Sequence, residues 1–236
     1  MTVEGREVRG RGGRLPAAAI WDMDGLLFDT IPLHIECWRL ICEEEGLSCD
    51  LGAIRRVCGC HDLDIGKVLL GEQVEGITQR RIEELVARKQ ALFTERLPGS
   101  IRLHAGVQDW LDHFAAAGYG QAVASSAARH DIELAISSAD LTAYFQIVVS
   151  AQADVNRGKP APDIFLLASE RLGVTAARCV VLEDAEVGVR AAKAAGMRCV
   201  AVTNTQSAEV LRDADLVVAS LADASPAICD DWLGLL

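Results

Sequence analysis

The stretch AAAIWDMDGLLFDT, residues 17–30, decides how the rest of the chain is read. Its small and branched apolar residues suit a buried strand, yet the run leads straight into Asp22 and Asp24. An ionised carboxylate buried without compensation is costly. The strand must therefore end at Asp22 in a polar cleft, or a cation must neutralise the pair. Either way the pair marks a strand end where chemistry is done.

Working outward, similar short apolar runs recur at QAVAS (121–125), QIVVS (146–150), CVVLED (179–184), CVAVTN (199–204) and LVVAS (216–220). Several are apolar throughout rather than alternating, as strands buried on both faces of a parallel sheet must be. Between them lie helical stretches, GVQDWLDHFAAAG, RHDIELAISSADL, APDIFLLASERLG and AEVGVRAAKAAG, each stopping near a Gly or a turn. Strands alternating with helices predict an α/β fold with a doubly wound, Rossmann-like parallel sheet. Ligands of such sheets bind beyond the carboxyl ends of the strands.

The interval from about residue 30 to 103 breaks the alternation. It carries helical periodicity instead, with one apolar face from Ile31, Ile35, Trp38, Ile41 and Cys42 and another from Ile82, Leu85, Leu92 and Phe93. No ordinary connection needs so much chain. The reading is an inserted α-helical cap over the end of the first strand. Residues 1–15 read as a flexible, Gly- and Arg-rich tail, 16–29 and 104–236 as the catalytic core, and 30–103 as the cap.

Composition narrows the function. The 236 residues are half apolar and carry a formal net charge of −11, which argues against a nucleic-acid partner. No apolar run approaches the length of about 20 residues that spans a membrane, and basic residues near the start precede no secretory apolar segment. The eight cysteines are scattered; CGCH (58–61) lacks a second ligand pair at zinc spacing. Reduced thiols in a cytoplasm are the simpler expectation. The chain is expected to be a monomer or a weak homodimer.

The strand ends then supply the site. The first strand ends at Asp22 with Asp24 just after, the second at Ser125 followed by Ser126, and the fourth in Glu183 and Asp184, while GKPAPD (158–163) places Lys159 between the third and fourth. These carboxylates would repel one another without a cation. An oxygen-only set with no His or Cys selects a hard ion, Mg²⁺. Carboxylate, magnesium, lysine and hydroxyl together suit a phosphoryl group. Arg129, at the start of the helix after Ser125, is a further phosphate contact or an ordinary helix-start residue. His34 is a cap contact or a structural residue, and Lys89 a substrate contact or a solvated side chain.

DMDGLLFDT, AVASS, GKPAPDIF and VVLEDAEVGVRAAKAAGM resemble, in order, the four motifs of the haloacid-dehalogenase superfamily of phosphohydrolases. Within it the chain resembles the β-phosphoglucomutase-like and sugar-phosphatase branch, which bears a helical cap. The resemblance implies that Asp22 is a nucleophile forming an aspartyl-phosphate. It implies that Asp24 is the general acid and base, and that Mg²⁺ is held by Asp22, the backbone carbonyl of Asp24 and Asp184, with Glu183 a ligand or its support. Ser125 and Lys159 would hold phosphoryl oxygens, and Gly25 would let the chain bend into the cap. Ala185 departs from the family's usual Ser. Asp62 stands where the mutase has an Arg that grips a second phosphate, while His34 and Lys89 fall where the mutase has a His and a Lys. The implied activity is hydrolysis of a small phosphorylated metabolite, a sugar phosphate. A phosphosugar mutase is the alternative within the family; a receiver-type module or a non-catalytic phosphate-binding protein is the alternative outside it.

Overall fold

The computed structural model describes residues 15–50, 52, 62–71 and 77–235. The expected N-terminal tail up to residue 14 and CGCH (58–61) lie outside them. Six strands, β1 (Ala18–Trp21), β2 (Gly120–Ser125), β3 (Ile147–Ser150), β4 (Cys179–Glu183), β5 (Arg198–Val202) and β6 (Leu216–Val218), form one sheet in the order β3-β2-β1-β4-β5-β6. Every pairing is parallel. The chain winds outward from β1 in one direction and returns to wind the other way from β4. The crevice that such a reversal opens lies at the ends of β1 and β4.

The helices are α1 (Ile31–Glu44), α2 (Asp62–Gly71), α3 (Gln79–Ser100), α4 (Val107–Ala116), α5 (Arg129–Ser138), α6 (Ala151–Asp154), α7 (Asp163–Leu172), α8 (Glu186–Ala194) and α9 (Ala227–Leu233). Alternate residues of the strands face opposite layers. Ala19, Trp21, Val123 and Leu182 pack with Trp110, Leu111 and Phe114 of α4, whereas Ile20, Ala124 and Val181 pack with Ile164, Phe165 and Ala168 of α7. Both layers are dry, so β1, β2 and β4 are buried along their whole length. That is why their sequences are apolar except at Gln121 and at the strand ends Ser125 and Glu183. The indole of Trp21 meets its one polar need inside the core, donating to Gln121 Oε1 at 3.0 Å.

Between β1 and α4 the three helices α1, α2 and α3 build a small core of their own from Trp38, Ile41, Ile65, Leu69, Ile82, Leu85 and Val86. The register of α1 differs slightly from expectation. Leu33, Cys37, Trp38, Ile41 and Cys42 are its buried residues, while Ile31 and Ile35 are half-exposed at this helix's margins. The chain enters and leaves this helical body along two adjacent segments. The Asp29 N–H donates to Arg102 O at 2.9 Å and the His104 N–H to Leu27 O at 3.1 Å, with Phe28 bridged to Leu103. Among the described residues no helix is long and apolar enough to cross a membrane.

Candidate active site

The β1–β4 register sets Trp21 opposite Leu182, and the Asp22 N–H donates to Leu182 O at 3.0 Å. Asp22 and Glu183 thus stand side by side at the sheet edge, with Asp184 one residue further. Asp22, Glu183 and Asp184 are all buried, and each presents a carboxylate oxygen within 4.8 Å of the others. Lys159 is brought to them from the loop before α7. Its Nζ donates to Asp22 Oδ1 and, at 2.6 Å, to Glu183 Oε1.

Glu183 is the most constrained member. Its Oε2 accepts the N–H groups of Asp184 at 2.9 Å and Ala185 at 3.0 Å, while Oε1 holds Lys159. This bonding makes it a clamp on the turn and on the lysine. Gly188, on α8, is needed for the same reason, because a Cβ there would overlap the Glu183 carboxylate. Gly25 has φ +88°, and a Cβ on it would collide with the carboxylate of Asp184. Its role is to let the turn after Asp24 pass close to the acidic cluster.

Burial dominates the electrostatics. It pushes Asp22 up to about 8; Lys159 opposes the shift, and Glu183 and Asp24 add to it. Asp184 is also pushed well above the carboxylate range, by burial first and then by Glu183 and Asp22. Lys159 moves the other way: burial would lower its pKa, but Asp22 and Glu183 outweigh burial and keep it protonated. Three converging carboxylates against one lysine would leave an excess of buried negative charge if all were ionised, and the raised pKa values of Asp22 and Asp184 express that conflict. An all-oxygen donor set of this kind fits a hard divalent cation.

Asp24 points away from this cluster. Its Oδ1 accepts the Thr30 hydroxyl at 2.6 Å and lies 3.3 Å from His34 Nε2. Burial alone would raise its pKa, but the charge and hydrogen bonds of His34, the Thr30 hydroxyl and Lys89 hold it below the usual range. Ser125 ends β2, buried, with its Oγ accepting the Ala127 N–H at 3.1 Å. Asp22, Asp24, Ser125 and Ser126 share one cleft with His34, Trp38, Asp62, Gln90 and Phe93 from the helical body. The helices therefore roof the strand ends.

Two residues are placed differently from expectation. Lys89 is not solvated: it is fully buried in α3. Its Nζ contacts His34 Nδ1 at 2.7 Å and donates to Asp62 Oδ1 and Oδ2 at 2.8 and 3.0 Å. A buried ammonium is tolerable only when so paired. Arg129 does not reach the cleft wall. It pairs with Asp154 at 2.5 Å, a carboxylate that Arg171 and the Ser150 N–H also hold.

Sequence reasoning missed Asn204 and Thr205. Asn204 Nδ2 donates to Gly25 O at 2.8 Å, and the Thr205 hydroxyl donates to Asp184 Oδ2. They follow β5 as Asp184 follows β4, so the strand-end rule applied to TNT (203–205) would have found them.

A model of the haloacid dehalogenase-like hydrolase family matches residues 19–202. The chain belongs to this family. It is similar to the phosphorylated carbohydrates phosphatase of Thermotoga maritima, at 33% identity over 76% of this chain and 82% of that one. It is also similar to the fructose-1-phosphate phosphatase of Escherichia coli, at 32% over 79% and 96%. Among solved structures, β-phosphoglucomutase from Clostridium difficile shares the fold with a TM-score of 0.81 at 21% identity, covering 93% of this chain and 97% of that one. CbbY from Rhodobacter sphaeroides, solved with xylulose-(1,5)bisphosphate, gives 0.78 at 26%, covering 88% and 95%. The chain is a haloacid dehalogenase-like phosphoric monoester hydrolase.

Proposed function

We propose that this hydrolase is a Mg²⁺-dependent phosphatase of a small phosphorylated metabolite, a sugar phosphate, working through an aspartyl-phosphate on Asp22. The observation that carries the reading is the convergence of Asp22, Asp184 and Lys159, with Glu183 fixing the lysine, at one sheet edge under a helical roof. Asp22 and Asp184 are the side chains suited to hold the ion, since Glu183 is already bonded through both oxygens. When bound, the ion neutralises the carboxylates and the phosphoryl oxygens, so that Asp22 stays ionised as a nucleophile.

In this reading the Asp22 carboxylate attacks phosphorus, and Lys159 and Ser125 steady the phosphoryl oxygens as charge builds on them. Asp24 stands beyond Asp22 on the side of the roof, where the leaving oxygen would depart. Its carboxyl is ionised in the present arrangement. A phosphate dianion beside it raises its proton affinity, so it enters the reaction able to protonate the leaving oxygen. Left ionised by that transfer, it then accepts a proton from the water that hydrolyses the phosphoenzyme. The His34 and Thr30 contacts hold it in place for both steps.

The test is phosphate release from a panel of sugar, polyol and nucleoside monophosphates. Mg²⁺ is expected to support turnover, EDTA to remove it, and Asp22→Asn to reduce it by at least a thousandfold while the thermal midpoint stays within a few degrees. Full turnover in metal-free buffer, or an Asp22→Asn variant within tenfold of the parent, overturns the reading. Isomerisation of β-glucose 1-phosphate without free phosphate would establish the mutase alternative.

A further inference from the structure

After β5 the chain reads Thr203, Asn204, Thr205 and Gln206, and each of the last three sends its side chain to a different neighbour. Asn204 Nδ2 donates to Gly25 O at 2.8 Å, on the turn that follows Asp24. The Thr205 hydroxyl donates to Asp184 Oδ2. Gln206 Oε1 accepts the Glu186 N–H at 2.7 Å. On its other side the loop is tied by its backbone, where the Thr203 N–H donates to Val218 O at 3.0 Å. Four residues thus join the ends of β1, β4, β5 and β6.

Two of these contacts answer local needs of the sequence. A helix start leaves backbone N–H groups without partners inside the helix. The cap residue of α8 is Ala185, whose side chain offers no acceptor, so Gln206 supplies one from outside the helix. Gly25, with φ +88°, leaves room where the loop meets the acidic cluster. A Cβ on it would collide with Asp184 Oδ2 and come within 2.7 Å of the Thr205 hydroxyl. That hydroxyl therefore fills the notch between the β1 turn and the Asp184 carboxylate.

We propose that Thr205 is a positioning residue for Asp184: its hydroxyl fixes the carboxylate in the orientation that receives a divalent cation beside Asp22, and the loop 203–206 holds the hydroxyl in place. The proposal rests on the Mg²⁺ part of the phosphatase reading above. An aspartate carboxylate turns about its side-chain torsions unless one oxygen is held. Threonine suits the task because β-branching restricts its first torsion. Its single O–H proton is spent on the carboxylate. Outer partners that orient a metal ligand in this way are worth about 10–100-fold in metal affinity.

The experiment measures the metal itself, without substrate. The full chain, stripped with EDTA and dialysed, is titrated with Mn²⁺ while the paramagnetic resonance of the free ion is followed, and Mg²⁺ is then added as competitor. Asp184→Asn, which removes the ligand, marks the background of ions held elsewhere on the surface. Thr205→Val keeps the outline of the side chain and loses the donor; Thr205→Ser keeps the donor. The valine variant is expected to bind both ions at least tenfold more weakly than the parent, and the serine variant to stay within threefold. Thr205 is half-buried, so the metal-free melting midpoints are expected to agree within a few degrees. Should the valine variant fail to fold, Thr205→Ala, which adds no bulk, is expected to show the same loss. An affinity within threefold of the parent in a folded Thr205→Val or Thr205→Ala overturns the assignment, and so does a Thr205→Ser as weak as Thr205→Val. A parent that binds Mn²⁺ but releases phosphate from no ester defeats the phosphatase reading and leaves the Thr205 comparison to stand or fall on metal affinity. A parent that binds no more metal than Asp184→Asn defeats the Mg²⁺ reading, and the assignment falls with it.

Discussion

At the scale of single residues, the site depends on contacts that tolerate no added atoms. Glu183 accepts from Lys159 and from two backbone N–H groups, and the space behind it is closed by Gly188. Gly188→Ala forces the carboxylate or α8 to move. Overpacking of this kind costs about 1–3 kcal/mol, and here the displaced group is the one that aims Lys159. Turnover is expected to fall more than tenfold with the protein still folded, read by phosphate release beside a thermal melt. A variant with parental turnover would remove Glu183 from the positioning role. Lys89 shows the same dependence of role on surroundings: its type suggests a solvated side chain, and its contacts make it a buried cation with three partners.

At the scale of elements, Asp215 ties β5 and α8 to the turn leading into β6. It accepts from Lys193 and Arg198 at 2.7 Å each and from the Cys199 N–H at 2.8 Å. Burial would raise its pKa, but these three donors outweigh burial and depress it. A carboxyl depressed on folding stabilises the fold fully above its unfolded value of about 3.9, and that contribution is lost as pH falls through the lower folded value. Lys193 and Arg198 are well exposed, so screening keeps the effect near 1 kcal/mol. Asp215→Asn is expected to lower the urea midpoint at pH 7, with the gap to the parent narrowing as pH falls below the unfolded value of about 3.9. A gap that does not narrow in acid would mean that shape, not charge, is responsible.

At the scale of the whole molecule, the helical body and the sheet close on each other over the strand ends. The free space of their shared cleft is about 50 Å³, and a water molecule takes about 10–15 Å³ by that measure. A few waters fit in this part, and the adjoining groove beside Asp62, Gln90 and Gln152 adds about 410 Å³. The chain passes between the two bodies at the paired segments 27–29 and 102–104, which makes them the natural pivot for a swing of the roof on substrate binding. The radius of gyration in solution is expected to be larger for the free protein than for the protein with Mg²⁺ and a tetrafluoroaluminate phosphate mimic. Identical scattering in both states would rule out the swing.

The parallel sheet was legible in the sequence because a strand buried on both faces is apolar at nearly every position, as CVVL before Glu183 is. The acidic strand ends were legible because a parallel sheet delivers all of them to one edge, whatever the details of packing. Membership of the phosphohydrolase family follows from the order of the four motifs. Other features needed the tertiary structure. That Arg129 faces Asp154 instead of the cleft depends on where α6 lies beside α5. That Lys89, His34 and Asp62 form one group depends on how α1, α2 and α3 pack, and their sequence separations of 27 and 55 residues leave no local trace. A sheet edge gathers its residues by register, which a linear pattern encodes. A helical bundle gathers them by rotation and crossing of its helices, which emerge only when the side chains pack.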